Sequence, residues 1–404
     1  MIDSESASGP SIATSLIHHP YQPPAGFAAP QPGVFKASTI IFANTAAMRA
    51  RNWKEKVGYT YGLHGTPTTF TLEARIATLE GGRHTLLVPS GLASIALVDM
   101  ASLAAGDEVL IPDNAYNPGK ELARNELAAW GITHRFYDPM DPGALASMLT
   151  SATKLVWVEA PGSVTMEFPD VANLVRAARS TGALVALDNT WGAGLAFDPF
   201  RIEAGPDGKA LGVDLSAHAL TKYPSGGGDV LMGSVTSRDP ALHLRLNATH
   251  MRMGWGVAAN DAEAVLRGLP TMALRYAAAD RAGRVLAQWW AQRAEVAQVL
   301  HPALPGSPGH AHWQRLCTQA AGLFSVVFDA RYSARQVDAF VDALRLFKIG
   351  FSWAGPVSLV VPYDLQAMRR QPAWQGTLVR FSLGLEGVDD LIADCAQALS
   401  VMDR

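Results

Sequence analysis

Charge is scarce in this chain. Only 17% of its 404 residues are Asp, Glu, Lys or Arg, and the signs nearly cancel to a formal net charge of −3. That leaves no electrostatic footprint for a polyanion, so no nucleic-acid partner is expected. Cysteine is scarcer still. Cys317 and Cys395 stand far apart, with neither disulfide nor metal-ligand spacing. No metal site is expected, and a reducing cytoplasm suits two isolated thiols best. No stretch reaches the ~20 uncharged apolar residues of a membrane span. The N-terminus, "MIDSESASGPSIATSLIHHPYQPPAG", lacks a basic region running into an apolar core, so no signal peptide is expected. Also missing is a G-x-G-x-x-G after the first strand with an acid about 20 positions on, which disfavours a dinucleotide-binding dehydrogenase.

What is present is apolar and alternating. Hydrophobic residues make up 49% of the chain, enough for a large core and for subunit contacts. Up to about residue 50 the chain is rich in Pro, Ser and Ala and weakly periodic, and reads as an extended arm that must pack on something to be ordered. "TPTTFTLEARIATLEGG" then reads as a capped helix closed by glycines. "HTLLVPSG", "DEVLIPDN", "THRFYDP", "TKLVWVEAPGS" and "ALVALDNTW" read as buried strands. "ASIALVDMASLAAG", "GKELARNELAAWG" and "VANLVRAARSTG" read as the helices between them. Strands alternating with helices imply a doubly wound, mostly parallel sheet, an α/β fold with ligands at the C-terminal strand ends. A helical stretch is expected from about Ala262 to Leu300, with "HPALPGSPGHAHW" as a loop after it. "GLFSVVFDA", "ARQVDAFVDALRLF" and "VRFSLGLEGVDDLIADCAQAL" then suggest a smaller α+β domain. The expected division is an arm over residues 1–65, a ligand-binding domain over 66–262 and a C-terminal domain over 263–404.

Several strand ends carry chemistry. Lys222 lies in "SAHALTKYPSGGGD", in a chain whose positive charge is mostly arginine. Unlike arginine, a desolvated lysine can lose its proton and act as a nucleophile, although a surface lysine beside a loop is the commoner case. Asp188 ends the strand "ALVALD". It either caps the next turn or answers a cation. The pair fits pyridoxal 5′-phosphate, with the lysine forming the Schiff base and the aspartate keeping the pyridine nitrogen protonated. "VPSGLAS" sets Ser90, Gly91 and Leu92 at the start of a helix, where free amides can hold a phosphate, although an ordinary strand-to-helix turn looks the same. Thr221 offers a hydroxyl. Tyr116 follows a strand and offers a face for the ring, or is simply a half-buried loop aromatic. Arg380, in "TLVRFSLG", suits a substrate carboxylate or a structural salt bridge.

Taken together, "YGLHGTPTT", "VPSGLAS", "VEAPGSVTMEFPD", "ALDNTW", "LTKYPSGGGD" and "FSWAGPVSL" resemble, in order and over nearly the whole chain after the arm, the Cys/Met-metabolism family of pyridoxal-phosphate enzymes. The resemblance implies fold type I, the aspartate-aminotransferase-like fold. It implies Lys222 as the cofactor lysine, Asp188 as the pyridinium partner, Tyr116 as the stacking and catalytic tyrosine, and Arg380 as the carboxylate clamp. Tyr61 would reach the phosphate in a neighbouring subunit, within a homotetramer of two active dimers that the arm clasps. "APGSVTME" and "FSW" look more like the branch that eliminates at the β-carbon, the cystathionine β-lyases, and place Ser352 and Trp353 on the substrate side. The γ-lyases, synthases and sulfhydrylases remain the alternative branch, and a non-catalytic pyridoxal-binding protein the third. Leu63, with His64 beside it, stands where the family often has arginine. Gly-Gly-Gly-Asp, ending at Asp229, replaces Gly-His-Ser-Asp. Val357, after Pro356, replaces a glutamate.

Overall fold

The helix Pro67–Glu80 shows how closely local sequence sets this structure. Thr66 caps it, and Thr69 returns the bond in a reciprocal box, with Pro67 at the first position. Gly81 ends it at φ +72°, the left-handed region in which glycine carries no steric cost. Such a cap is worth about 1 kcal/mol. The computed structural model describes residues 10–21, 23–56, 58–205, 209–369 and 374–402. The first nine residues of the expected arm lie outside them.

Seven strands form the main sheet: β1 (His84–Val88), β2 (Glu108–Pro112), β3 (Thr133–Tyr137), β4 (Thr153–Glu159), β5 (Leu184–Asp188), β8 (Leu215–His218) and β9 (Gly233–Ser237). Between β5 and β8 a small hairpin, β6 (Glu203–Ala204) and β7 (Ala210–Leu211), stands apart. The sheet order is β1-β9-β8-β5-β4-β2-β3. Strands β3, β2, β4, β5 and β8 run parallel, and β9 is antiparallel to both neighbours. The five parallel strands therefore end on one edge, and the loops after them converge there.

A second sheet follows: β10 (Val296–Leu300), β11 (Leu323–Phe328), β12 (Lys348–Ile349), β13 (Leu359–Tyr363) and β14 (Leu378–Ser382), in the order β10-β11-β14-β13-β12. It is antiparallel except at β12–β13. Helices Ala334–Ala343 and Val388–Leu399 bury Phe340, Val341, Leu391 and Cys395 in its core.

The helix expected to reach Leu300 ends at Trp290, and Val296–Leu300 is an edge strand. Pairing with β11 overrides a composition that suits either state. The helix Ala259–Trp290 places Leu266, Met272 and Tyr276 in the core under the main sheet, and Leu286 and Trp290 in the core of the second sheet. The expected loop also shortens, because His310–Leu316 is helical.

Part of the arm is anchored on its own chain. Ser11 caps the short helix Ile12–Ile17, and Leu16 is fully buried in the main core, against the helices Pro67–Glu80 and Ala259–Trp290. Further along, Phe27, Val34, Phe35 and Ile41 face outward, Ile41 being 92% exposed.

Candidate active site

The turn after β8 carries Lys222. Burial lowers its ammonium pKa to about 8, assisted by the positive charge of Arg380 and opposed by Asp188. Its Nζ donates to Ser352 Oγ at 2.7 Å and lies 5.5 Å from the centre of the Trp353 ring. Trp353 also meets Tyr223 edge-on, with ring centres 5.8 Å apart. Ser352 and Ala354 hold φ values of +100° and +67°. Each such strained residue costs roughly 1–3 kcal/mol, so this loop is kept in place by its surroundings. Among the glycines after Lys222, Gly226 has a packing reason. A Cβ on Gly226 would lie 2.0 Å from Arg275 Nη1, and that guanidinium donates to the Tyr223 carbonyl at 2.8 Å.

Arg380, on β14, is almost fully buried. Its Nη2 donates to the Ser352 carbonyl at 3.2 Å and its guanidinium lies 5.4 Å from the centre of the Tyr363 ring. Among the described residues its Nε has no hydrogen-bond partner. A buried cation with a spare donor is an anion receptor. The second sheet thus delivers Ser352, Trp353 and Arg380 to the lysine of the first.

Asp188 ends β5. Burial raises its carboxyl pKa, and its Oδ1 accepts from the Thr190 amide at 3.0 Å. Thr190 Oγ1 in turn accepts from the Ala219 amide at 2.9 Å, tying the aspartate to the turn that holds Lys222. Tyr116 stands at the start of the helix Asn117–Leu122, 43% exposed. Burial first, and then the charges of Asp188 and Glu159, raise its hydroxyl pKa, so it is a proton donor at neutral pH.

Ser90 caps the helix Gly91–Ser102, its Oγ accepting from the Ala93 amide at 3.1 Å. The amides of Gly91 and Leu92 are the ones that helix geometry leaves without intrahelical partners. A Cβ on Gly91 would lie 2.5 Å from that of Ala219, so glycine lets this amide pair approach the lysine turn. The Thr221 hydroxyl is engaged by the Met232 main chain, accepting at 3.1 Å and donating at 3.3 Å. Tyr61 does not join the group within its own chain. It is 47% exposed, and its ring meets His64 edge-on.

Glu159 carries no local sequence signal, although it ends β4 just as Asp188 ends β5, and the two are in register. Burial, and then the Asp188 charge, raises its pKa to about 8. Tyr363 and Thr190 are silent in the sequence for another reason. Their roles depend on which distant residue folds against them.

These groups fit pyridoxal 5′-phosphate. They offer unpaired amides for its phosphate, a desolvated amine for its aldehyde, a half-buried carboxylate for its ring nitrogen and a tyrosine ring for its face. Fold and site together define a pyridoxal-phosphate enzyme of fold type I. Residues 13–400 match the sequence profile of the family described as Cys/Met metabolism PLP-dependent enzyme, and the chain belongs to that family. It is 38% identical to the cystathionine beta-lyase of Bordetella avium over 395 residues, 95% of this chain and 96% of the relative. Identity to cystathionine beta-lyase MetC of Escherichia coli K12 is 36% over 370 residues, 89% of this chain and 90% of the relative. The crystal structure of metB from Corynebacterium glutamicum superposes with a TM-score of 0.86 at 26% identity, covering 97% and 98% of the two chains. The cofactor is pyridoxal 5′-phosphate. No helix among the described residues is long and apolar enough to cross a membrane.

Proposed function

We propose that the chain is a carbon–sulfur lyase of the cystathionine β-lyase type, converting L-cystathionine and water, or a related cysteine conjugate, into a thiol, pyruvate and ammonia. The observation that carries this is the chain Lys222–Ser352–Arg380, which sets a proton acceptor beside a carboxylate receptor. Bound pyridoxal 5′-phosphate supplies the electron sink for the charge left when the α-proton departs. The chain's own residues do the rest. Arg380 grips the α-carboxylate and so fixes which bond at the α-carbon faces Lys222. Ser352 Oγ orients Lys222 Nζ to take the α-proton. Asp188 holds a positive charge at the ring nitrogen. Lys222 or Tyr116 returns a proton to the departing sulfur. Incubation with L-cystathionine tests the reading: pyruvate supports it, and 2-oxobutyrate means elimination at the γ-carbon.

Arg380→Lys keeps the charge but loses the two-pronged geometry. KM should rise roughly ten- to a hundredfold, the worth of a hydrogen bond to a charged group. The visible spectrum of the resting enzyme should hardly change. A shifted spectrum with an unchanged KM would make Arg380 structural. Val357 and Pro356, on the loop after Trp353, are the positions at which substrate ranking is expected to shift.

The same reading makes the working unit a homotetramer of two dimers in the cytoplasm. Its division is an arm through residue 65, a cofactor-binding unit over 66–262 and a C-terminal unit over 263–404. The outward apolar side chains of the arm and the half-exposed Tyr61, whose ring packs on His64, support it. Co-assembly of an inactive Tyr61→Ala chain with an inactive Lys222→Ala chain should restore some activity, because one site per dimer then holds both residues. An active monomer in light scattering would end this reading.

A further inference from the structure

The Tyr116 main chain has one conspicuous support. Its amide donates to Glu159 Oε2 at 2.7 Å. The other oxygen, Oε1, accepts from the Ser163 amide at 3.0 Å and from Ser163 Oγ at 2.5 Å. One carboxylate at the tip of β4 therefore fastens two separate loops, the one after β2 that bears Tyr116 and the one after β4 that bears Ser163. Tyr116 has no side-chain cap of its own at the start of its helix.

The setting argues for a purpose. Glu159 is buried, and among the described residues no salt bridge reaches it; the buried Lys120 acts on it only through its field. A buried carboxylate without a cation in contact is costly, and glutamine would have the same shape without the charge. Glutamine would not serve here, however. All three groups that meet Glu159 donate. An amide has one acceptor oxygen, and its NH₂ would face a donor at either Tyr116 or Ser163. Only a group with two acceptor atoms satisfies both loops at once. Glu159 also lies beside Asp188, its register partner on the adjacent strand, at a strand spacing of about 4.8 Å. The residue that faces the ring nitrogen and the residue that supports the stacking tyrosine are thus side by side at one sheet edge. Tyr116, Glu159 and Asp188 line a common cavity, with Ile95, Asp99 and Trp157 behind them.

We propose that Glu159 is a positioning residue: through the Tyr116 amide it sets the pitch of the ring on which the cofactor lies, relative to the Asp188 carboxylate. This rests on the assignment of Tyr116 and Asp188 to the cofactor made above. Glu159 touches no reacting atom, so its effect passes through Tyr116.

The test uses Glu159→Gln, Ser163→Ala and Tyr116→Ala. For each, the dissociation constant of pyridoxal 5′-phosphate from the stripped protein is measured. So are the visible circular dichroism of the bound cofactor, its melting temperature without cofactor, and kcat and KM for L-cystathionine. Measured above pH 8, where Glu159 is ionised, Glu159→Gln should raise the dissociation constant and lower kcat by roughly ten- to a hundredfold, the range for a lost hydrogen bond to a charged group. The circular dichroism band should change, while KM stays within about twofold and the stripped protein melts no lower. Ser163→Ala, which frees Oε1 from one donor and leaves no unpaired partner but Glu159 itself, should shift the same band by less. It decides the matter if the glutamine variant does not fold. A wild-type band and dissociation constant in Glu159→Gln, or in Ser163→Ala when the former is unfolded, overturns the proposal. So does a lower melting temperature with an unchanged band. Tyr116→Ala separates the two levels. If it too leaves cofactor binding unchanged, the site assignment fails; if it alone weakens binding, only the role of Glu159 fails.

Discussion

Lys222→Ala will lose turnover by at least roughly 10²–10⁴-fold, the usual worth of a positioned general acid or base, and will lose covalent attachment of the cofactor as well. The structure gives the reason. The amine is half-buried near the charge of Arg380, and both influences bring its pKa down to about 8, against an ordinary value of 10.5. At physiological pH a sizeable fraction is then unprotonated, whereas an exposed lysine would be almost wholly charged. The sign of the pH dependence follows. Only the neutral amine captures an aldehyde. Covalent capture of pyridoxal 5′-phosphate by the stripped protein should therefore accelerate as pH rises, and level off above about 8. Arginine at this position cannot substitute, because it stays charged. Pyruvate release with purified Lys222→Ala protein is the measurement, and wild-type turnover would remove Lys222 from the mechanism.

Asp188→Asn is expected to act in opposite directions on the stripped and the loaded protein. Without cofactor, the half-buried carboxylate is a burden: its pKa is raised by desolvation and by the negative charge of Glu80, with only hydrogen bonds at Thr190 and the field of His218 to offset them. A carboxyl whose folded pKa is raised favours the folded state most when protonated. Its contribution is lost as pH climbs from the unfolded range, about 4, through the folded value. The neighbouring Glu159 behaves alike and releases its proton at about 8. Asparagine removes one member of the pair. The melting temperature of the stripped variant should therefore exceed that of the parent by a margin that widens from pH 5 to pH 8. With cofactor the order reverses. Taking away the partner of a buried positive charge costs about 3–5 kcal/mol, so affinity for pyridoxal 5′-phosphate should fall by roughly 10²–10⁴-fold. A variant that melts lower without cofactor yet binds it normally would make Asp188 merely a cap for the Thr190 turn.

The sequence exposes those parts of the site that are written locally. Asp188 closes a strand, Lys222 precedes a glycine turn, and Ser90 with Gly91 opens a helix. Each can be read within ten residues, because turns and caps depend on their immediate neighbours. The main sheet is legible on the same grounds. What stays hidden depends on register and on distant packing. Glu159 looks like any acid at a strand end until β4 and β5 are aligned and the loop of Tyr116 is laid over it. Tyr363 gains its place under Arg380 because β13 and β14 are paired. The end of the long helix at Trp290 is likewise set by β11, on whose edge the following residues pair. Tyr61 is a different case: the motif that marks it is local, but its proposed partner belongs to another chain.

The helix Ala259–Trp290 has a consequence for how the protein comes apart. One rod contributes side chains to both apolar interiors, so neither can melt without loosening the helix that plugs the other. Heating the stripped protein should melt both interiors in one calorimetric transition and not in two separated steps. Native-state hydrogen exchange should find the amides between Ala279 and Leu286, where the helix passes from one interior to the other, opening only with the whole molecule. A break inserted near that point, even far from Lys222, should extinguish both halves together.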